Sequence, residues 1–300
     1  MQIVHGDEVE IRCDGGGVRT GKVGKQIMLT GDPESPDNFK YGLFHQYGSF
    51  FSPRHRHNFC QIRAQLEGDC KYGKTITMRP GTVGYFPEGV HYGPQGPDVG
   101  DTYTATLQFG GLSGSGLLTT QQLADAKREL SKTGTFENGI FHRNEGEPGK
   151  RNVDGFEAVW EQIAGRKLVY PEAQYAEPIF MYPENYRWVP ISGSAGVEEK
   201  SMGSFAGGQV KVAHYRVSPG ATFTAKGRGV FLVLSGGGDL EGEKFRIYTS
   251  LYLNTGEKAQ FKANRVSEIL LMGMPDLAEI RKYSAFFAAR QGAEQLEYAD

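Results

Sequence analysis

Along residues 102–109 the side chains alternate in character, with Thr102, Thr104, Thr106 and Gln108 on one parity and Tyr103, Ala105, Leu107 and Phe109 on the other. A period of two with one apolar row marks a strand that buries one face. Short runs of the same kind, punctuated by Gly and Pro, predict further strands at 41–47, 61–66, 75–78 and 84–87. They return in the second half at 210–216, 223–225, 230–234, 245–252, 259–261 and 269–272. Residues 1–40 alternate less regularly between turns such as Asp14-Gly15-Gly16-Gly17 and read as edge strands or an arm. Between the halves the period changes to that of helices. Leu123 and Leu130 stand among good helix formers at 119–130, with Gly134 as a stop. Phe156, Val159, Trp160 and Ile163 repeat at i, i+3, i+4 and i+7, with Asp154 or Asn152 as cap and Gly165 as terminator. A last apolar stripe, Leu277, Ile280 and Phe287, follows the cap residue Asp276 and predicts a C-terminal helix.

The pattern divides the chain into a strand-rich unit with its arm (1–111), a helical segment (112–190), a second strand-rich unit (191–275) and a closing helix and tail (276–300). A length of 300 residues suits two domains. The 33 basic and 35 acidic residues nearly cancel, so neither a nucleic-acid partner nor a membrane surface is expected. No apolar run approaches the roughly 18 residues of a membrane span. The first residues show no basic-then-apolar leader, and Cys13, Cys60 and Cys70 form no Cys-x-x-Cys pair. Both features point to reduced thiols and a cytoplasmic protein.

The candidate chemistry lies in Ser52-Pro53-Arg54-His55-Arg56-His57-Asn58-Phe59-Cys60-Gln61. On an extended segment His55, His57 and Gln61 share a parity, so three donors can converge. Gly68 follows, and Pro80-Gly81 opens a second segment that runs through Pro87-Glu88-Gly89-Val90-His91-Tyr92. A weak internal repeat sets Leu66-Glu67-Gly68 against Leu234-Ser235-Gly236. On that alignment the inward row of the first half reads His55, His57, Phe59, Gln61, Arg63, Gln65. The second reads Phe223, Ala225, Gly227, Gly229, Phe231, Val233, so only the first half has a polar interior.

These two segments resemble the paired motifs of the cupin superfamily. The resemblance implies an all-β fold of two jelly-roll barrels, a bicupin, with a helical insert and a C-terminal helix. It implies a divalent transition metal (Fe, Cu, Ni, Zn or Mn) held by His55, His57 and His91, with Gln61 as a weak fourth ligand or hydrogen-bond donor. Gln61 stands where the family usually has Glu. The family spacing falls on Tyr92 whereas the nearest histidine is His91, and a one-residue slip reverses the face, so either can point inward. Neutral imidazoles favour borderline metals and leave charge for an anionic substrate to supply. Arg63, of inward parity, either clamps a substrate carboxylate or pairs with Glu67 or Glu88. Tyr92 is a candidate weak ligand or proton donor. His45 is a candidate replacement ligand, and Cys60 a packing residue. The resemblance implies an oxygenase, a dioxygenase for a small oxygenated acid, diketone or phenol. The alternatives are a small-ligand-binding bicupin without turnover and a cupin isomerase or lyase. A homodimer is expected.

Overall fold

Alternation along the strands sorts side chains to two faces, and the folded chain uses both. In the computed structural model residues 1–14, 19–33, 38–111, 113 and 117–275 are described. The closing helix expected beyond Asp276 and most of the Gly-rich turn after Asp14 lie outside them. Two seven-stranded antiparallel sheets dominate. The first runs in the order Ile179–Met181, Val83–Phe86, Phe59–Glu67, Thr102–Gly110, Phe39–Gln46, Val23–Thr30, Arg12–Asp14. The second runs Gln2–His5, Thr249–Leu253, Gly229–Ser235, Ser267–Gly273, Val210–Val217, Val197–Phe205, Val189–Pro190. Each is faced by a smaller sheet: Thr77–Met78, Cys70–Tyr72 and Gln95–Pro97 in the first barrel, four strands from Thr222–Lys226 to Lys258–Ala263 in the second. The ends of the chain segments are exchanged, since Gln2–His5 pairs with Thr249–Leu253 and Ile179–Met181 with Val83–Phe86.

The large sheets lie back to back. Tyr41, Leu43, Ile62, Ala105 and Leu107 of the first and Val212, Leu232, Leu270 and Met272 of the second form one shared core, all under 4 % exposed. The Tyr41 hydroxyl reaches Ser250 Oγ across it at 3.1 Å. Tyr103, Ala105, Leu107 and Phe109 face this core, as their period implies. The opposite face of the second sheet fills its own barrel with Phe223, Ala225, Phe231, Val233, Phe245, Leu251 and Phe261. The apolar row expected in the second half is present. The corresponding interior of the first barrel is polar: Thr104 donates to Gln65 Oε1 (3.2 Å), Thr102 to Gln46 Oε1 (3.3 Å) and Gln108 to Gln61 Oε1 (3.2 Å).

The segment between the barrels holds two helices. Thr119 caps α1 (Thr120–Leu130) in a capping box with Gln122. Asp154 caps α2 (Gly155–Ala164) by accepting from the Phe156 and Glu157 amides, and Gly165 ends it in the left-handed region at φ 65°. A three-stranded sheet, Gly134–Glu137, Ile140–Arg143 and Asn152–Asp154, sits between them and was not expected from the sequence. Its signal was there: Asn138 and Gly139 both have positive φ (51° and 80°), the Asn-Gly turn that favours a two-residue hairpin.

Candidate functional site

The His-containing segment departs from the expected strand. Residues 53–58 form no continuous ladder; isolated bridges pair Ser52 with Gln95 and His55 with Tyr92, and the strand begins at Phe59. Gly89 explains how the second motif comes to lie beside it. At φ 78° a side chain there would be strained, and its Cβ would stand 2.3 Å from the Pro171 carbonyl, while its amide donates to the His57 carbonyl at 2.8 Å.

The bridge between residues 55 and 92 settles which of the two neighbouring side chains enters the barrel. Tyr92 is buried, its ring 4.4 Å from that of His55. His91 is part-exposed beside Arg54 and Arg56 at the rim. The expected set of His55, His57 and His91 is therefore not brought together, and among the described residues no three His, Cys, Asp or Glu side chains converge on a common point. His45 lies elsewhere, stacked on Tyr47 and 3.5 Å from Asp101. Cys60 is on the shared-core face, 3.6 Å from the Tyr85 hydroxyl.

Arg63 organises the interior. Its Nε and Nη2 donate to Gln61 Oε1 (3.1 and 2.7 Å), Nη2 also to the Tyr92 hydroxyl (3.2 Å), and Nη1 to Gln95 Oε1 (2.8 Å) and the Tyr72 hydroxyl (3.1 Å). A guanidinium has five N–H donors, and all are used. Every acceptor is neutral. The expected pairing with Glu67 or Glu88 does not form: Glu67 accepts from Tyr248 and Glu88 from Ser113. A direct bidentate clamp on a ligand is also ruled out, because no donor is left. What remains is a positive charge inside the barrel with no counter-charge among the described residues, and the tyrosine phenols beside it keep that guanidinium protonated despite burial.

The same geometry fixes the polarity of Gln61 and Tyr92. Arg63 can only donate, so the Gln61 oxygen must face it and the amide nitrogen must face Tyr92, to which it donates at 2.9 Å. The Tyr92 oxygen thus accepts from Gln61 and from Arg63. Both lone pairs are occupied, and only its proton is free to be given. His55 is complementary. Its Nδ1 lies 2.6 Å from the Pro53 carbonyl, which can only accept, so Nδ1 carries the proton and Nε2 keeps a lone pair. Burial, then the nearby Arg19, hold its pKa well below 6.5. His57 is held down likewise by burial first, then by His55 and the cations Arg19, Arg63 and Lys40. Its ring stacks on Phe59 (4.5 Å) and meets the edge of Phe156 of α2 (4.7 Å), so the inserted helix covers this end of the barrel. Its Nδ1 and the Arg19 Nη2 are buried without a hydrogen-bond partner among the described residues.

Tyr72, Gln95, Arg19, Lys40 and Phe156 are site residues that the sequence motifs did not single out. Gln95 and Tyr72 face each other on adjacent small strands, and a parity count along those strands was the available signal. The contacts of Arg19, an Asp154 carboxylate at 3.2 Å and the Gly139 carbonyl at 3.4 Å, come from a separate part of the chain and leave no local trace.

No protein-family model matches this sequence, and no curated protein does. Solved structures do. A Nostoc punctiforme protein described as a candidate dioxygenase is 10 % identical and superposes with a TM-score of 0.63, over 92 % of this chain and 83 % of its own. Bacillus subtilis oxalate decarboxylase, a protein with Mn(II) centres, is 13 % identical with a TM-score of 0.52, over 92 % and 78 %. Hazelnut (Corylus avellana) vicilin is 11 % identical with a TM-score of 0.51, over 91 % and 86 %. The chain has the bicupin fold. At these identities the likeness extends to architecture alone.

In this bicupin the first-barrel residues do not fit a divalent metal. Gln61 Oε1, the oxygen that would ligate, already accepts from Arg63 and Gln108. A fixed guanidinium charge one hydrogen bond away repels a cation, and among the described residues no carboxylate is at hand to offset it. His55 and His57 stand edge to face, 4.9 Å apart between ring centres, with Tyr92 rather than a third imidazole beside them.

Proposed function

We propose that the protein is a metal-independent bicupin that takes a small organic acid into its first barrel and moves a proton on it, an isomerase or lyase in reaction type. The observation that carries this is the Tyr92 hydroxyl, backed by Arg63 and Gln61, with its proton directed to no acceptor among the described residues. An anionic oxygen is the partner such a donor selects, and the buried charge behind it adds a long-range attraction. The unprotonated Nε2 of His55 beside that phenol supplies the base. Acid and base held side by side suit proton abstraction next to a carboxylate or carbonyl group, with Tyr92 stabilising the oxyanion that develops. α2 excludes water through Phe156, which strengthens both interactions.

An oxygenase of the expected kind would work through an ion held by His55, His57, Gln61 and His91, and that ligand set does not assemble. The test is solvent-deuterium exchange into the carbon next to the carboxylate or carbonyl group, followed by NMR over a panel of small hydroxy, oxo and unsaturated acids. Exchange with one class, abolished by Tyr92→Phe and by His55→Gln, is the expected result. Failure of every acid to bind or exchange, together with stoichiometric uptake of a transition metal, would overturn the reading.

A further inference from the structure

One cation in the first barrel is left over by this account. Lys40 lies on the Phe39–Gln46 strand, whose Phe39, Tyr41 and Leu43 face the shared core, so Lys40 has the opposite, inward parity. The register places it opposite Gln108, and Gln108 opposite Gln61, so Lys40, Gln108 and Gln61 stand side by side on three adjacent strands. Two strand spacings put the Lys40 backbone about 10 Å from that of Gln61, a gap that a lysine side chain and a three- or four-carbon acid together span. Gln108 and Gln61 link the row to Arg63 through hydrogen bonds of 3.2 and 2.7 Å. Lys40 itself has no hydrogen bond or ion pair among the described residues, and no acid is placed to neutralise it. A surface lysine escapes such a cost by turning to water. Lys40 is largely covered instead.

We propose that Lys40 is a nucleophilic amine that forms an imine with the carbonyl group of an oxo acid held in the first barrel. This rests on the organic-acid reading of the site and narrows its substrate class to 2- or 3-oxo acids. Burial, and then Lys25, bring the ammonium down from 10.5 to about 8, so a useful fraction is free amine near neutral pH. The Nζ lone pair adds to the ketone carbon, forming the N–C bond, and the ketone oxygen takes a proton, for which the Tyr92 hydroxyl is the donor. Nζ carries two protons after the addition; one passes to that oxygen, which leaves as water, and the other stays on the protonated imine. The imine draws electrons from the neighbouring carbon, which is where His55 Nε2 removes its proton. Hydrolysis returns the amine, so no oxidant or reductant is consumed.

The full-length protein is incubated with pyruvate or acetoacetate and sodium cyanoborohydride, then examined by intact-mass and peptide mass spectrometry, with lactate as a carboxylate that cannot react. The expected result is a single adduct, heavier by the oxo acid less one oxygen atom, on the peptide containing Lys40. It is lost in both Lys40→Met and Lys40→Arg, while lactate still raises the melting temperature of these variants. Labelling spread over exposed lysines, or none, with lactate binding intact, would overturn the imine and leave the organic-acid site standing. Absence of any shift with lactate or the oxo acids would bring down both.

Discussion

Removing one oxygen atom, by Tyr92→Phe, separates a binding role for this residue from a packing role. The phenol accepts from Gln61 Nε2 at 2.9 Å and from Arg63 Nη2 at 3.2 Å. Phenylalanine keeps the ring contacts with His55 and Phe86, at 4.4 and 4.8 Å. Arg63 Nη2 retains its bond to Gln61, but its other N–H and one amide hydrogen of Gln61 are stranded in a buried site, each at a cost of about 1–3 kcal/mol. A hydrogen bond to a charged ligand contributes about 1.5–3 kcal/mol, so affinity for the organic acid should fall roughly ten- to a hundredfold. Urea unfolding and calorimetric titration of one preparation give both numbers, with His91→Ala as the neighbour whose loss should alter neither by much. Lower stability with unchanged affinity would refute the donor role of Tyr92 and make it a structural spacer.

Two further outcomes follow from the interiors of the barrels. His55 and His57 have native pKa values well below 6.5, so below that pH the unfolded chain binds protons that the folded barrel refuses. Their contribution is complete above about pH 6.5 and falls away on acidification, by up to about 2.7 kcal/mol per pH unit for the pair. Urea midpoints between pH 5 and 7 should show a slope that the double variant His55→Gln/His57→Gln flattens. In the second barrel Phe261 is 0 % exposed, with Phe245 and Phe223 rings at 5.3 and 6.1 Å. Phe261→Ala should cost about 3–5 kcal/mol in chemical denaturation while leaving ligand affinity in the first barrel unchanged.

The architecture was legible where a pattern repeats. The period of two at 102–109, the apolar row from Phe223 to Val233 and the Asp154-to-Gly165 helix are local signals, and each element forms because its own residues favour it. The polar row from His55 to Gln65 was legible as a row, and Gln61 and Arg63 do face inward. The chemistry of that row was not, because it depends on what lies across the barrel. Arg63 is satisfied by Tyr72 and Gln95 from the opposing small sheet, and this commits Gln61 to hydrogen bonding. Parity could not decide between His91 and Tyr92, since both fit a turn whose length the sequence leaves open. Lys40 is inward by register, but its lack of a counter-ion among the described residues is what sets it apart from an ordinary strand lysine.

A crystal structure of protein prepared with both Mn(II) and a small carboxylate, recorded with anomalous scattering, probes the central claim most directly. The account predicts a carboxylate oxygen at the Tyr92 hydroxyl and no anomalous peak between His55 and His57. A manganese peak ligated by those two imidazoles, with Gln61 turned away from Arg63 to join them, would contradict it.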